Sequence, residues 1–221
     1  MTPMLTNTLN NQLAHITTAA LIAAASTHAD AAIIGTTGQA ALIGAPVSAL
    51  YGALPGAPAY CWNEQSSFLI PAVGLNVNVI GNGFWTGPTA NSAMYAGNVD
   101  SHFVHFDASS GVANVSGTIT FSSQIVAVIY ESAYLSMTDF ALGAPGTAYE
   151  TGNPLRSSTA ALMLSQITVA GNVLTFNLWA QAAMMQNRMS ELRVLTDGTV
   201  PTPGALALLG LAGVAARRRK R

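Results

Sequence analysis

Along the middle of the chain, short apolar and β-branched segments recur between clusters of Gly, Asn, Pro and Ser. They include "AYCWNE", "SSFLIPA", "LNVNVIG", "SHFVHFD", "VSGTITF", "QIVAVIYE", "SQITVAG", "NVLTFNLWA" and "ELRVLT". A spacing of about ten residues with turn signals between segments predicts an all-β protein, an antiparallel β-sandwich of jelly-roll or Greek-key type. In "NVLTFNLW", alternation puts Leu174, Phe176 and Leu178 on one face and Val173, Thr175, Asn177 and Trp179 on the other. Two hairpins are expected, one turning at Ser122-Ser123 in "GTITFSSQIVAVIY" and one across Ala170-Gly171-Asn172, where Gly and Asn accept positive φ. Helix is sparse: "SAYLSMTDFALG" offers one turn after Ser132. "QAAMMQNRMSE" reads either as a loop with a short helix or as an irregular strand approach. The alternation of strands and helices that marks a parallel sheet is missing, and no internal repeat or long linker divides residues 32–199.

The two ends follow another pattern. Residues 1–29 contain no charged side chain, and an apolar stretch from Ile16 to Ala25 is followed by small residues. This predicts a secretory signal peptide over residues 1–31, removed by signal peptidase at Ala29-Asp30-Ala31 so that the mature chain starts at Ala32. The segment lacks the usual Lys or Arg near its start; an ordinary buried N-terminal helix is the alternative reading. At the other end, residues 200–221 run "VPTPGALALLGLAGVAARRRKR", with an apolar stretch of 12 residues between the prolines and the cations. As a helix it would span roughly 18 Å, short of the ~30 Å of a hydrocarbon core. Cations flanking an apolar segment stay on the cytoplasmic side, so a short, transient membrane helix is expected, bounded outside by Pro201 and Pro203.

Three parts in this order, Val200-Pro201-Thr202-Pro203, an apolar helix and Arg217, Arg218, Arg219, Lys220 and Arg221, resemble the PEP-CTERM sorting signal of exported bacterial proteins. The usual motif carries Glu between the prolines; Thr202 stands there in this chain, as in variant tails such as those of planctomycete surface proteins. The resemblance implies processing near residues 200–204 by exosortase, a transpeptidase-like membrane enzyme. It also implies export by the secretion machinery, transient anchoring in the cytoplasmic membrane, and delivery to the cell surface or an extracellular matrix. In the body, "YCWNEQ", "DSHFVHFD", "GTITFSSQIVAVI" and "LGAPGTAYETG" up to "SELRVLT" resemble a β-domain that recurs ahead of such tails, which implies a surface β-sandwich and no particular chemistry.

Charge sharpens the picture. Only 8% of the 221 residues are charged, against about 25% in typical globular proteins. Five of the eight cations occupy the last five positions, so residues 32–199 hold three arginines against eight carboxylates, a net charge of −5. Such a body offers no basic patch, and nucleic acid is not an expected partner.

Candidate chemistry is thin. "DSHFVHFD" gathers Asp100, His102, His105 and Asp107, but on a strand His102 faces away from His105 and Asp107, leaving two ligands where a transition metal needs more. A calcium site has eight carboxylates to draw on but no EF-hand-like or Asp-rich repeat. Glu64, Glu131, Asp139 and Glu150 could each serve a hydrolase, yet spacing selects no pair. Neither a G-x-S-x-G elbow nor a phosphate loop nor a dinucleotide fingerprint occurs. The expectation is a non-enzymatic protein with no catalytic residue, metal or cofactor. The lone Cys61 reads as a buried thiol, with intermolecular pairing as the sharper alternative. Trp62, Trp85 and Trp179, with Tyr60, Tyr95 and Tyr130, could stack on sugars or fill the core; Trp85, in "GNGFWTGP", is the candidate ligand contact, with exopolysaccharide as the partner. The expected role is structural or adhesive, with a carbohydrate-binding module and a secreted hydrolase as alternatives.

Overall fold

The computed structural model describes residues 31–199, except 55, 57, 87–90, 109–110, 157–164 and 184–185. Within them lie twelve strands and one helix: β1 (Ile33–Gly38), β2 (Ala40–Leu42), β3 (Ala59–Asn63), β4 (Phe68–Val77), β5 (Val79–Ile80), β6 (Gly83–Thr86), β7 (Ala93–Asp107), β8 (Gly111–Phe121), β9 (Ile125–Ile129), α1 (Ser132–Leu142), β10 (Gln166–Ala170), β11 (Val173–Ala183) and β12 (Gln186–Asp197). The all-β expectation is met.

The strands form a nearly closed, barrel-like sheet. One group runs β6-β10-β11-β8-β1, all antiparallel. The other centres on β7 and β12, which pair over Val99–Asp107 and Met189–Asp197. β9 and then β5 extend this group beyond β12, while β3 and β4 run in file along the opposite edge of β7, and β2 joins β3 in parallel. Two corners connect the groups: β11 turns into β12, and β1 passes into β2 at Gly38-Gln39. Gly38 has φ +66°, and a Cβ there would lie 2.6 Å from the Ser116 carbonyl oxygen, so the β1–β2 corner requires glycine.

The β10–β11 hairpin forms as the turn chemistry predicts, with Ala170 opposite Val173 and Gly171 at φ +63°. The hairpin at Ser122-Ser123 does not. β8 pairs with β1 and β11, whereas β9 pairs with β12 and β5, so the chain changes strand group at these serines. In this arrangement Ile119 and Phe121 of β8 and Ile125 and Val128 of β9 are all buried in one core. β4 joins two predicted segments and tolerates Pro71 because the pairing with β7 is interrupted between Ile70 and Leu75. The "QAAMMQNRMSE" stretch takes its strand alternative, with the end of β11 and the start of β12 on either side of residues 184–185.

Alternation creates two cores. Val104 and Phe106 of β7, Leu192 and Val194 of β12, and Leu174, Phe176 and Leu178 of β11 fill the space between the strand groups. Val99, Phe103 and Leu195 point the other way, into a second core with Trp62, Ile129, Leu135 and Leu142. That second core is roofed by α1, which is three turns long instead of one. Its buried stripe is Leu135, Thr138, Asp139 and Leu142, at the i, i+3, i+4, i+7 spacing of an amphipathic helix, but two of the four positions are polar. Gly143 and Pro145 follow its last turn, and the Gly143 N–H bonds back to the Asp139 carbonyl.

Candidate functional site

The polar stripe of α1 faces the outward side of β7 and β12, where odd-numbered residues present Phe103, His105, Asp107, Glu191 and Arg193. Arg193 is fully buried. Its Nε donates to Glu64 Oε2 at 2.7 Å and Nη2 to Glu64 Oε1 at 3.0 Å, a bidentate fork. Nη1 donates to Thr138 Oγ1 at 2.5 Å, Nη2 reaches Asp139 Oδ1 at 3.2 Å, and the guanidinium lies 5.0 Å from the Phe103 ring centroid and 5.5 Å from that of Tyr149. Arg156, equally buried, donates from Nη1 to Asp139 Oδ2 and from Nε to Glu191 Oε2, both at 2.5 Å. Glu191 Oε1 then meets His105 Nδ1 at 2.9 Å, and His105 Nε2 meets Asp107 Oδ2 at 3.3 Å.

Seven ionisable groups thus form one continuous buried chain: Glu64, Arg193, Asp139, Arg156, Glu191, His105 and Asp107. Hydroxyls and a backbone amide complete it. Tyr149 and Ser101 donate to Glu64, Thr151 donates to Asp139, and the Gly52 N–H donates to Asp107 Oδ2. Asp107 Oδ1 is buried with no hydrogen-bond partner among the described residues.

Environment sets the charge states. Burial by itself would lower the His105 pKa, but hydrogen bonds to Asp107 and Glu191 and their negative charges raise it to about 9. His105 is therefore imidazolium at neutral pH and donates from both ring nitrogens. Burial also works against the Arg193 guanidinium, and the charge and hydrogen bonds of Glu64 overcome it and push its pKa up. The Tyr149 hydroxyl is pushed up by burial and then by the neighbouring Glu64 charge, so it stays a donor. On the other face of β7, His102 is lowered by burial to about 3 and sits neutral between Asn63 Oδ1 and Thr196 Oγ1, at 2.9 and 3.0 Å.

What this chain of charges can do follows from its closure. Its carboxylates are engaged by guanidinium and imidazolium groups at 0–6% side-chain exposure, so they are shielded from solvent. It is a cross-link that ties β7, β12 and the residue after β3 to α1 and to the segment carrying Arg156. Glu64 and Asp139, two conceivable hydrolase acids, do converge, but on Arg193 and not on a cleft. His105 and Asp107 share a face as expected, and Glu191 reaches the same imidazole from its other nitrogen instead of converging with them on a common point. Among the described residues no group of three or more His, Cys, Asp or Glu is arranged to hold a metal ion. A cleft of about 410 Å³ opens at the start of α1, lined by Glu131, Ser132, Ser136, Gly152, Asn153 and Pro154. Its one carboxylate, Glu131, accepts from Asn78 Nδ2 at 3.2 Å.

The aromatics mostly fill the cores. Trp62, Tyr130 and Trp179 are buried. Trp85 on β6 is half-buried, packed against the inner core with its ring across Gly83; Phe84, pointing the opposite way, is the exposed aromatic there. Cys61 is buried and its thiol is pushed up to about 12 by burial. Ala31, expected to be the last residue of the signal, is buried at the start of the fold. Ala29, the motif Val200, Pro201, Thr202 and Pro203, the apolar run and the basic tail Arg217, Arg218, Arg219, Lys220 and Arg221 lie outside the described residues. Among those described, no helix is long and apolar enough to cross a membrane.

Sequence reasoning missed Arg156, Arg193, Glu191 and Tyr149. The available signal was "ELRVL", where alternation puts Glu191 and Arg193 on one face of a strand whose flanking Leu and Val are core-forming. No family model, curated protein or solved structure matches the chain.

Proposed function

We propose that this chain is an exported, non-enzymatic β-protein that serves a structural or adhesive role at the cell surface or in an extracellular polysaccharide matrix. The observation that carries this reading is the order of "VPTP", apolar run and five cations at residues 200–221, the PEP-CTERM-like arrangement that an exosortase-like enzyme would process. An N-terminal apolar segment of export type agrees with it. We read the barrel-like sheet as a flattened sandwich, two strand groups over one core.

Two features of the body support this role. Every Asp, Glu and Arg among the described residues is buried or only partly exposed, so the outer surface is largely neutral, built of Thr, Ser, Asn and Gly with scattered apolar side chains. A neutral surface suits contact with uncharged polymers better than steering of charged substrates. The single thiol is buried and held protonated, which suits an oxidising compartment where a reactive cysteine would cross-link.

The test is fractionation of the native producer with intact-mass analysis. Recovery outside the cell without residues 217–221 is expected. Full-length protein in the cytoplasm, with Arg217 to Arg221 still attached, would overturn the reading.

A further inference from the structure

The fold begins before the predicted cleavage point. Ala31 is 5% exposed and its N–H donates to Asp100 Oδ2 on β7. Asp100 is itself 1% exposed, and its Oδ1 accepts from the Ser67 N–H at 2.5 Å. Ser67 has φ +50°, in the left-handed region, so this carboxylate pins both the tight turn between β3 and β4 and Ala31, ahead of β1. The next two amides are also bound by side chains: Ala32 N–H to Ser122 Oγ at 2.9 Å and Ile33 N–H to Asn63 Oδ1 at 3.1 Å. Ala31 is the first of three successive rungs, and its acceptor, Asp100, is both the one carboxylate among the three acceptors and the most buried of them.

We propose that the export signal is cut between Ala29 and Asp30, so that Asp30 and Ala31 belong to the mature protein. The inference rests on the export reading above and moves the scissile bond two residues upstream of Ala31-Ala32. The sequence permits the shift, because Thr27-His28-Ala29 is itself a small-x-small tripeptide with Ala at the position before the cut. A cut after Ala31 would instead take one donor from the buried Asp100 and place a new α-ammonium group beside Ser122.

N-terminal peptide mapping of the secreted full chain from its producer tests this. A first residue of Asp30 is expected. A start at Ala32 or beyond overturns the inference and leaves export standing, whereas a retained Met1 on cytoplasmic protein overturns both. Processing precedes folding, so two variants separate recognition from stability. Ala29→Gln is expected to accumulate as precursor, with a loss of at least tenfold in cleaved product, while Ala31→Gln is expected to be cut at the same bond. Ala29 is read under either cut, at the last position for one and two residues before it for the other, so blockage of Ala31→Gln would reverse the assignment.

Discussion

His102 and His105 stand three residues apart on β7, on its opposite faces, and carry opposite charge states at neutral pH. His102 faces Asn63, Thr196 and the Phe121 ring, 4.8 Å away between centroids, and burial lowers its pKa to about 3. His105 faces two carboxylates that raise it to about 9. One strand thus hides a neutral and a charged imidazole, and the difference lies in the partners each face meets.

Stability should therefore peak near pH 6.5 and fall on both sides. Below that pH an unfolded His102 takes up a proton that the folded one refuses, so stability is lost as pH falls from about 6.5 toward 3. His105 has the opposite sign: its raised pKa contributes stability that is fully present below about 6.5 and lost as pH rises through about 9, on the order of 3 kcal/mol in all. Thermal melts from pH 4 to 10 should trace this bell, and His102→Gln should flatten its acid limb only. An alkaline limb unchanged in His105→Gln would refute the assignment.

Breaking the Arg193 fork should be costly. Arg193→Met leaves Glu64 buried without its cation and is expected to destabilise by about 3–5 kcal/mol. Changing both partners, Arg193→Met with Glu64→Gln, should cost less than the single change. Urea titrations of the three chains give the coupling, and additive effects would mean that the fork contributes nothing.

Gly38→Ala, at the β1–β2 corner, and Gly171→Ala, in the β10–β11 turn, separate two penalties. Both glycines have left-handed φ, +66° and +63°, but only a Cβ at Gly38 meets backbone, 2.6 Å from the Ser116 oxygen and 2.9 Å from Gly117 Cα. Gly171→Ala should cost about 1–2 kcal/mol, the left-handed penalty by itself. Gly38→Ala should cost clearly more, and equal midpoints in urea would show that the corner relaxes freely.

Cys61 should be silent in the folded protein. With its thiol at about 12 and no exposed surface, alkylation at pH 8 should be undetectable in buffer and complete in denaturant. Rapid labelling of native protein would contradict the burial.

Much of the local structure was legible. The period-2 alternation of "NVLTFNLW" is the observed one, with Leu174, Phe176 and Leu178 in the inner core, and Gly171-Asn172 makes the turn that its chemistry predicts. α1 was underestimated because Thr138 and Asp139 occupy positions where an amphipathic stripe would carry apolar residues; they are buried because Arg156 and Arg193 meet them there. The charge chain was illegible because its members are far apart in sequence: Glu64 and Arg193 are 129 residues apart.

By itself, the sequence determined the β character of the body, its low and lopsided charge, which residues share a strand face, and the apolar and basic runs at its ends, since spacing and turn chemistry act over a few residues. Only the tertiary structure decided that β8 and β9 part company at Ser122-Ser123 and that Glu64, Asp139 and Glu191 are consumed by two arginines and a histidine. It alone shows that Ala31 is held by Asp100. Strand partners and buried charges are selected by how faces separated by a hundred residues can be covered and neutralised together, and that choice depends on the whole chain at once.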